Sequence, residues 1–207
     1  MPARDEIRSI FHDHDKKRAS AHEARQQKLL TDAGVRAELE KWNSQQRWTE
    51  RLDQLRADAR ARFDQVASKP DQLRADFAKP PSGSAQEQLL FELRAQRMWS
   101  RIRPQLDALD GARLVERTLR LATEADGPDA IVLAQELTPY LVGRGEDADL
   151  VTTAFDAKIP GMEAAQEAMK QANAEYLQIS SAADAVQQYI DGRQSREYAA
   201  YLAGVEE

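Results

Sequence analysis

The sequence predicts an all-α protein: an extended N-terminal helical arm, coiled-coil or helical-hairpin-like, followed by a compact bundle of short helices. Three observations predict it. Alanine occurs 34 times, whereas Val, Ile and Thr together occur 22 times. Ala, Leu, Arg, Gln and Glu lose little entropy in a helix, while β-branched residues favour strands. Glycine is scarce, at 9 of 207 residues, and apolar residues recur at steps of three and four, the period of one helix face.

Composition narrows the function classes. Hydrophobic residues make up 42%, enough for a core, while 31% charge and a mean hydropathy of -0.69 send much of the chain to water. Cysteine is absent, which removes disulfides, thiolate nucleophiles and cysteine metal sites. Arg4, Asp5, Glu6 and Arg8 stand where a secretory signal needs an apolar run. No apolar stretch approaches the roughly 20 residues that span a bilayer. The expectation is a soluble cytoplasmic product, or a virion component if the gene is a phage's. The net charge of -6 is uneven: residues 1–80 hold 17 Lys and Arg against 14 Asp and Glu, residues 127–207 hold 5 against 14. Such asymmetry can orient association or steer a charged partner.

Residues 1–79 read as the arm. Ile7, Ile10 and Phe11 open it. The polar stretch from His14 to Gln27 has little apolar surface, and reads as a solvated helix or as chain that orders on binding. Val35, Leu39, Trp42, Trp48, Leu52, Leu55, Ala59, Phe63 and Val66 then draw a stripe. The step of six between Trp42 and Trp48 interrupts it as a stammer would. A rod from Val35 to Ala67 is about 50 Å long at 1.5 Å per residue and cannot bury that stripe against itself. The expected cover is another chain, or residues 85–109 folding back as an antiparallel hairpin.

The hexapeptide DQLRAD occurs at Asp53–Asp76's two ends, once from Asp53 to Asp58 and again from Asp71 to Asp76. Eighteen residues is five helical turns, but Pro70 stands between the copies. Ser68-Lys69-Pro70-Asp71 reads as a fresh start with a capping serine, Pro in the first turn and an acid at the positive helix end. The repeat is reuse of helical vocabulary, not a duplicated site.

Residues 80–84, Pro80-Pro81-Ser82-Gly83-Ser84, form the joint, and Ser84 with Glu87 makes a capping box. Residues 85–207 form the acidic bundle. Leu89, Leu90, Phe91, Leu93, Trp99, Ile102, Leu106 and Leu109 mark a helix that Pro104 should kink or split. Asp110-Gly111, Gly127-Pro128, Gly143-Arg144-Gly145, Pro160-Gly161 and Asp191-Gly192 punctuate the rest. Met162, Ala165, Met169, Ala172 and Tyr176 make an amphipathic face with small residues, and two short helices are expected around Asp191-Gly192.

Chemical constellations are few. On a helix His12 and His14 diverge by about 200°, so His12, His14 and His22 read as surface residues rather than metal ligands. No histidine follows position 22, which excludes a Ser-His-Asp triad in the bundle. Gly143-Arg144-Gly145-Glu146 lacks a phosphate-loop pattern. No enzyme, cofactor, metal or small-molecule substrate is inferred. Arg47, Arg51, Arg56, Arg60 and Arg62 with Trp42 and Trp48 raise a nucleic-acid-associated factor as the alternative, but Glu50, Asp53, Asp58 and Asp64 lie among them. The leading expectation is a non-enzymatic assembly or interaction protein. It would bind a protein partner or itself through Val35, Leu39, Trp42, Trp48, Leu52, Leu55 and Phe63, aromatic and aliphatic anchors of the kind found at interfaces. In composition and layout it is similar to scaffolding or virion-structural proteins of tailed phages, which implies a component of a larger particle; no motif carries that likeness.

Overall fold

In α1, Pro2–Gln26, the residues Ile7, Ile10, Phe11, His14 and Ala21 fall on one side and are buried, while the charged residues between them stay wet. The computed structural model describes residues 2–205, and among these it is all-helical with no strand. The chain divides into two units, Met1–Ala67 with Ala168–Glu207, and Ser68–Glu167. This differs from the expected division at Pro80–Ser84. The break falls where Ser68-Lys69-Pro70 restarts the helix, and the first unit takes in the C-terminal segment.

The first unit holds α1, α2 (Asp32–Gln46), α3 (Trp48–Ala67), most of α9 (Met162–Ile190) and α10 (Arg196–Ala203). Thr31 caps α2 by accepting from the Gly34 N–H at 3.1 Å. The expected rod from Val35 to Ala67 is two helices. Arg47 closes α2 in the left-handed region, φ 55°, and the stripe resumes at Trp48. A left-handed residue turns the chain out of its helix, so the six-residue step in the sequence marks a break rather than a stammer.

The stripe is covered within its own unit. Trp48, Leu52 and Ala59 share a core with Ile7, Ile10 and Phe11 of α1, with Ile179, Ala183, Val186 and Tyr189 of α9, and with the buried alanines of α10. The pairing of α3 with α9 is antiparallel: Arg56 meets Asp184 at 2.8 Å, Arg62 meets Glu175 at 3.7 Å, and Phe63 stacks on Tyr176 with centroids 6.1 Å apart. The expected extended arm, and its expected cover by residues 85–109, are thus replaced by a closed helical unit. α9 runs as one helix where separate segments were expected, because no Gly or Pro interrupts it between Gly161 and Gly192. The two ends of the chain are tied together by Asp15, which accepts from the Tyr189 hydroxyl at 2.7 Å and from Arg196 at 3.0 Å.

The second unit holds α4 (Lys69–Phe77), α5 (Ala85–Asp107), α6 (Gly111–Glu124), α7 (Gly127–Gly143) and α8 (Asp149–Asp156). The capping box at Ser84 and Glu87 forms as expected, with the Glu87 carboxylate 2.7 Å from the Ser84 N–H. Ser68 makes no side-chain cap on α4, contrary to expectation. α5 continues through Pro104 to Asp107. The core gathers Leu106, Leu114, Leu133, Leu137, Leu141, Val151 and Phe155. Its one buried carboxylate, Asp156 of α8, accepts two bonds from Arg74 of α4, at 2.9 and 2.7 Å, and a third from Gln166 at 2.8 Å. Arg74 belongs to the second DQLRAD copy and Arg56 to the first. The equivalent arginines therefore hold different helices in different units, Asp156 and Asp184 respectively.

Leu52→Ala should lower the unfolding free energy by about 2–5 kcal/mol in urea titrations, because it empties a fully buried site, whereas the exposed Leu29→Ala should change it by less than about 0.5 kcal/mol. Asp156→Ala should cost about 1–3 kcal/mol by removing the acceptor of Gln166 and leaving Arg74 with Asp71 alone, read in the same titration.

Candidate functional site

A groove of about 970 Å³ opens in the first unit, walled by α1, α2, the start of α3 and the end of α9. Its apolar lining is Val35, Leu39, Trp48 and Ile190. The break at Arg47 creates it. With α2 and α3 not in line, the stripe parts company with itself: Val35, Leu39 and Trp48 line the groove, while Leu52 and Leu55 belong with the core.

The seven residues expected to bind a partner are thus not one surface. Val35, Trp48 and Leu52 are buried, and Leu39, Trp42, Leu55 and Phe63 are half-buried. Trp42 lies between the His14 and Trp48 rings but is not part of the groove's lining, and Phe63 is engaged with Tyr176. Missing from the expectation were His14, Asn43 and Tyr189. The spacing of His14 was a usable signal, since it lies three residues after Phe11 and seven after Ile7. Asn43 carries no such signal.

The floor's rings, Tyr189, His14 and Trp48, belong to an aromatic run that passes through Trp42. Tyr189 meets His14 edge-on with ring centres 5.2 Å apart, His14 lies 6.5 Å from Trp42, and Trp42 lies 5.5 Å from Trp48. Arg18 sits over the Tyr189 ring at 5.1 Å and Arg51 over the Trp48 ring at 4.9 Å, each a cation on a π face. His14 is only 2% exposed, contrary to its reading as a surface histidine. Burial, with a smaller contribution from Arg18, lowers its pKa to about 4 against the opposing pull of Asp15, so it is neutral at pH 7. Burial pushes the Tyr189 hydroxyl up to about 12, helped by its bond to Asp15. Burial alone would raise the Asp15 carboxyl, but bonds from Tyr189 and Arg196 outweigh it and hold the group below the usual range.

Three of the lining side chains carry polar atoms that are out of solvent and have no hydrogen-bond partner among the described residues. They are both ring nitrogens of His14, the Asn43 Oδ1 and the Trp48 Nε1. Buried polar atoms are ordinarily paired, since leaving one unpaired costs about 1–3 kcal/mol. Around this floor the lining is mixed in charge: Arg18, Arg36 and Arg47 against Asp32, Glu40, Glu50 and Asp191. Among the described residues no three His, Asp or Glu side chains are placed to hold a metal ion, and no helix is long and apolar enough to cross a membrane.

No family model matches the chain, and neither the curated proteins nor the solved structures contain a detectable match.

His14 makes stability depend on pH. Its pKa is lower folded than unfolded, so between about 6.5 and 4 the unfolded chain binds a proton that the folded one does not. Stability from this group is present above pH 6.5 and is lost as pH falls to 4, by about 3 kcal/mol at pH 4. Urea titrations at pH 7 and pH 4 should show that loss reduced by a similar amount in His14→Gln.

Proposed function

We propose that this chain is a non-enzymatic interaction protein that holds a segment of a polypeptide partner in the groove of its first unit. The observation that carries the reading is the coincidence of an open groove, lined by both apolar and charged residues, with unpartnered polar atoms on three of its lining side chains. Such a site has affinity from its apolar walls and specificity from its few polar groups. Catalysis fits less well. His14 has neither an orienting acid nor a nucleophile bonded to it, and the Tyr189 hydroxyl is committed to Asp15.

The partner-binding role thereby contracts from seven residues to the three that line the groove, Val35, Leu39 and Trp48. The nucleic-acid alternative loses its basic face. Arg47 pairs with Glu50, Arg51 with Glu6, Arg56 with Asp53 and Asp184, Arg60 with Asp64, and Arg62 with Glu175. Arginines so neutralised offer little to a phosphate backbone.

A second reading, self-association into a larger particle, is favoured by α5, whose Leu89, Leu90 and Leu93 are 56%, 58% and 41% exposed. If copies of the chain meet there, light scattering of the intact protein gives a multiple of 23.3 kDa that falls to the monomer in a Leu89→Glu, Leu90→Glu double variant; a monomer in both removes that reading.

The groove is tested by placing a photo-crosslinking amino acid at Leu39, with Lys170 on the exposed side of α9 as control, and irradiating the cells that make the protein. A discrete polypeptide adduct from position 39 and none from position 170 is expected. Equal labelling from both positions, or none from either, would refute partner binding in the groove.

A further inference from the structure

Helix α5 is apolar on two sides. Toward the core of the second unit it presents Met98, Trp99, Ile102 and Leu106, and Phe91 is buried on the same side. At 100° per residue these five fall about 140° to 240° around the helix from Leu93, whereas Leu89 and Leu90 fall within about 60° of it. The three leucines therefore make a row on the side away from the core, and all three are exposed. A surface helix ordinarily keeps polar residues on that side, and an apolar row there marks a contact surface.

The charges around the row say what meets it. Between Ala85 and Pro104 both acids, Glu87 and Glu92, precede Leu93, and all four bases, Arg94, Arg97, Arg101 and Arg103, follow it. Arg94 pairs with Asp129 and Arg103 with Asp107, while Arg97 and Arg101 meet no carboxylate among the described residues. Glu87, Arg97 and Arg101 share a flank, at about 120°, 40° and 80° to the same side of Leu93. The bonds from Ser84 hold the Glu87 carboxylate in place and leave it lone pairs for an arginine. A second copy of α5 laid antiparallel, with a two-fold axis beside Leu93, brings like flanks together. Each Glu87 then stands between Arg97 and Arg101 of the other copy. Laid parallel, the copies would set arginine against arginine, a like-charge arrangement that selects against that pairing. A helix with both signs on one flank, at opposite ends of an apolar row, is complementary to itself.

Resting on the reading of this chain as self-associating, and independent of the groove, we propose that two copies pair through α5 as an antiparallel two-fold dimer. Leu89, Leu90 and Leu93 of each copy form its centre, and Glu87 faces Arg97 and Arg101 at each end. Three leucines per copy make a small seam, so the dimer is a weak one whose orientation is set by the charges.

The chain has no cysteine, so introduced cysteines report the orientation. Gln86 and Ser100 are exposed, stand seven residues before and after Leu93, and lie about 20° to either side of it. Full-length Gln86→Cys and Ser100→Cys variants, one carrying a mass tag, are mixed and mildly oxidised. In the antiparallel dimer position 86 of one copy adjoins position 100 of the other. Like positions are then about 21 Å apart along the helices, beyond the roughly 7 Å that a disulfide tolerates between Cα atoms. The mixed disulfide should form at least fivefold faster than either like one. Arg97→Glu should raise the dimer dissociation constant in sedimentation equilibrium at least tenfold, while the same change at the exposed Arg113 of α6 leaves it within twofold. All these sites are exposed, so each variant's thermal midpoint should stay within a few degrees. Dominant like disulfides overturn the proposal, as do equal rates for all three, no disulfide in any mixture, or an Arg97→Glu response within twofold. These failures are separable from failure of self-association. A multimer that survives the Leu89→Glu, Leu90→Glu double change assembles through another surface. One that this change breaks but that forms like disulfides pairs α5 in parallel, and a monomer throughout removes the reading itself.

Discussion

The structure of the first unit depends on the antiparallel burial of α3 against α9. Trp48, Leu52 and Ala59 bring the bulk, and Ile179, Ala182, Ala183, Val186 and Tyr189 receive it. Large and small side chains of the two helices share one core there, which removes apolar surface from water and adds dispersion contacts. The polar contacts follow from that register. Arg56 reaches Asp184 and Arg62 reaches Glu175 because the apolar seam has already set the helices side by side. Exposed pairs of this kind contribute little on their own, so they report the register more than they create it. The partners are more than 100 residues apart in sequence, and the unit closes only when both ends of the chain are present.

That closure changes the meaning of the stripe that dominates the first third of the sequence. A row of Trp, Leu and Phe on a 20-residue helix needs cover, and the cover is inside the chain. What is left for a partner is created by a backbone event at one residue. Arg47 in the left-handed region ends α2, and Val35 and Leu39 line the groove while Leu52 and Leu55 pack with the core. A non-glycine residue there carries roughly 1 kcal/mol of backbone strain, which packing of Trp48 on the far side of the break offsets. In an unbroken helix the six-residue step from Trp42 to Trp48 would itself turn the second half of the stripe about 120° away from the first.

Much of the local structure was legible. The restart at Ser68-Lys69-Pro70, the capping box at Ser84 and Glu87, and the turns at Asp110-Gly111 and Gly127-Pro128 are all chemical statements made by adjacent residues, and each sits at a helix boundary. The pairing of distant elements was not legible. Nothing in α3 names α9 as its cover rather than α5, because both offer apolar residues at helical spacing, and periodicity fixes a face without fixing its partner. The same limit hid the groove. His14 lies on the buried face by its spacing from Ile7 and Phe11, yet its polarity argued for the surface, and only the tertiary arrangement reveals that Trp42 and Tyr189 close around it. The unit boundary was misplaced for a related reason. Pro80 to Ser84 is a loop by composition, and a loop inside a unit looks the same in sequence as a loop between two.

The two units also use polar groups in opposite ways. In the second, the buried Asp156 has three donors from Arg74 and Gln166, so its charge is fully met and serves to fix α4 against α8. In the first, His14 is buried with neither nitrogen met, and Asn43 and Trp48 carry further unmet atoms on the same lining. A polar network that only stabilised the fold would gain by having its members bond one another or by being replaced with apolar residues of the same shape, since an unmet buried group is a net cost. Asp15, one residue from His14, shows that the local chain is able to satisfy such groups, for it accepts from both Tyr189 and Arg196. Single unmet atoms also occur away from the groove, at Arg4, Arg8, Arg56 and Gln187, but the groove's lining gathers four such atoms on three side chains.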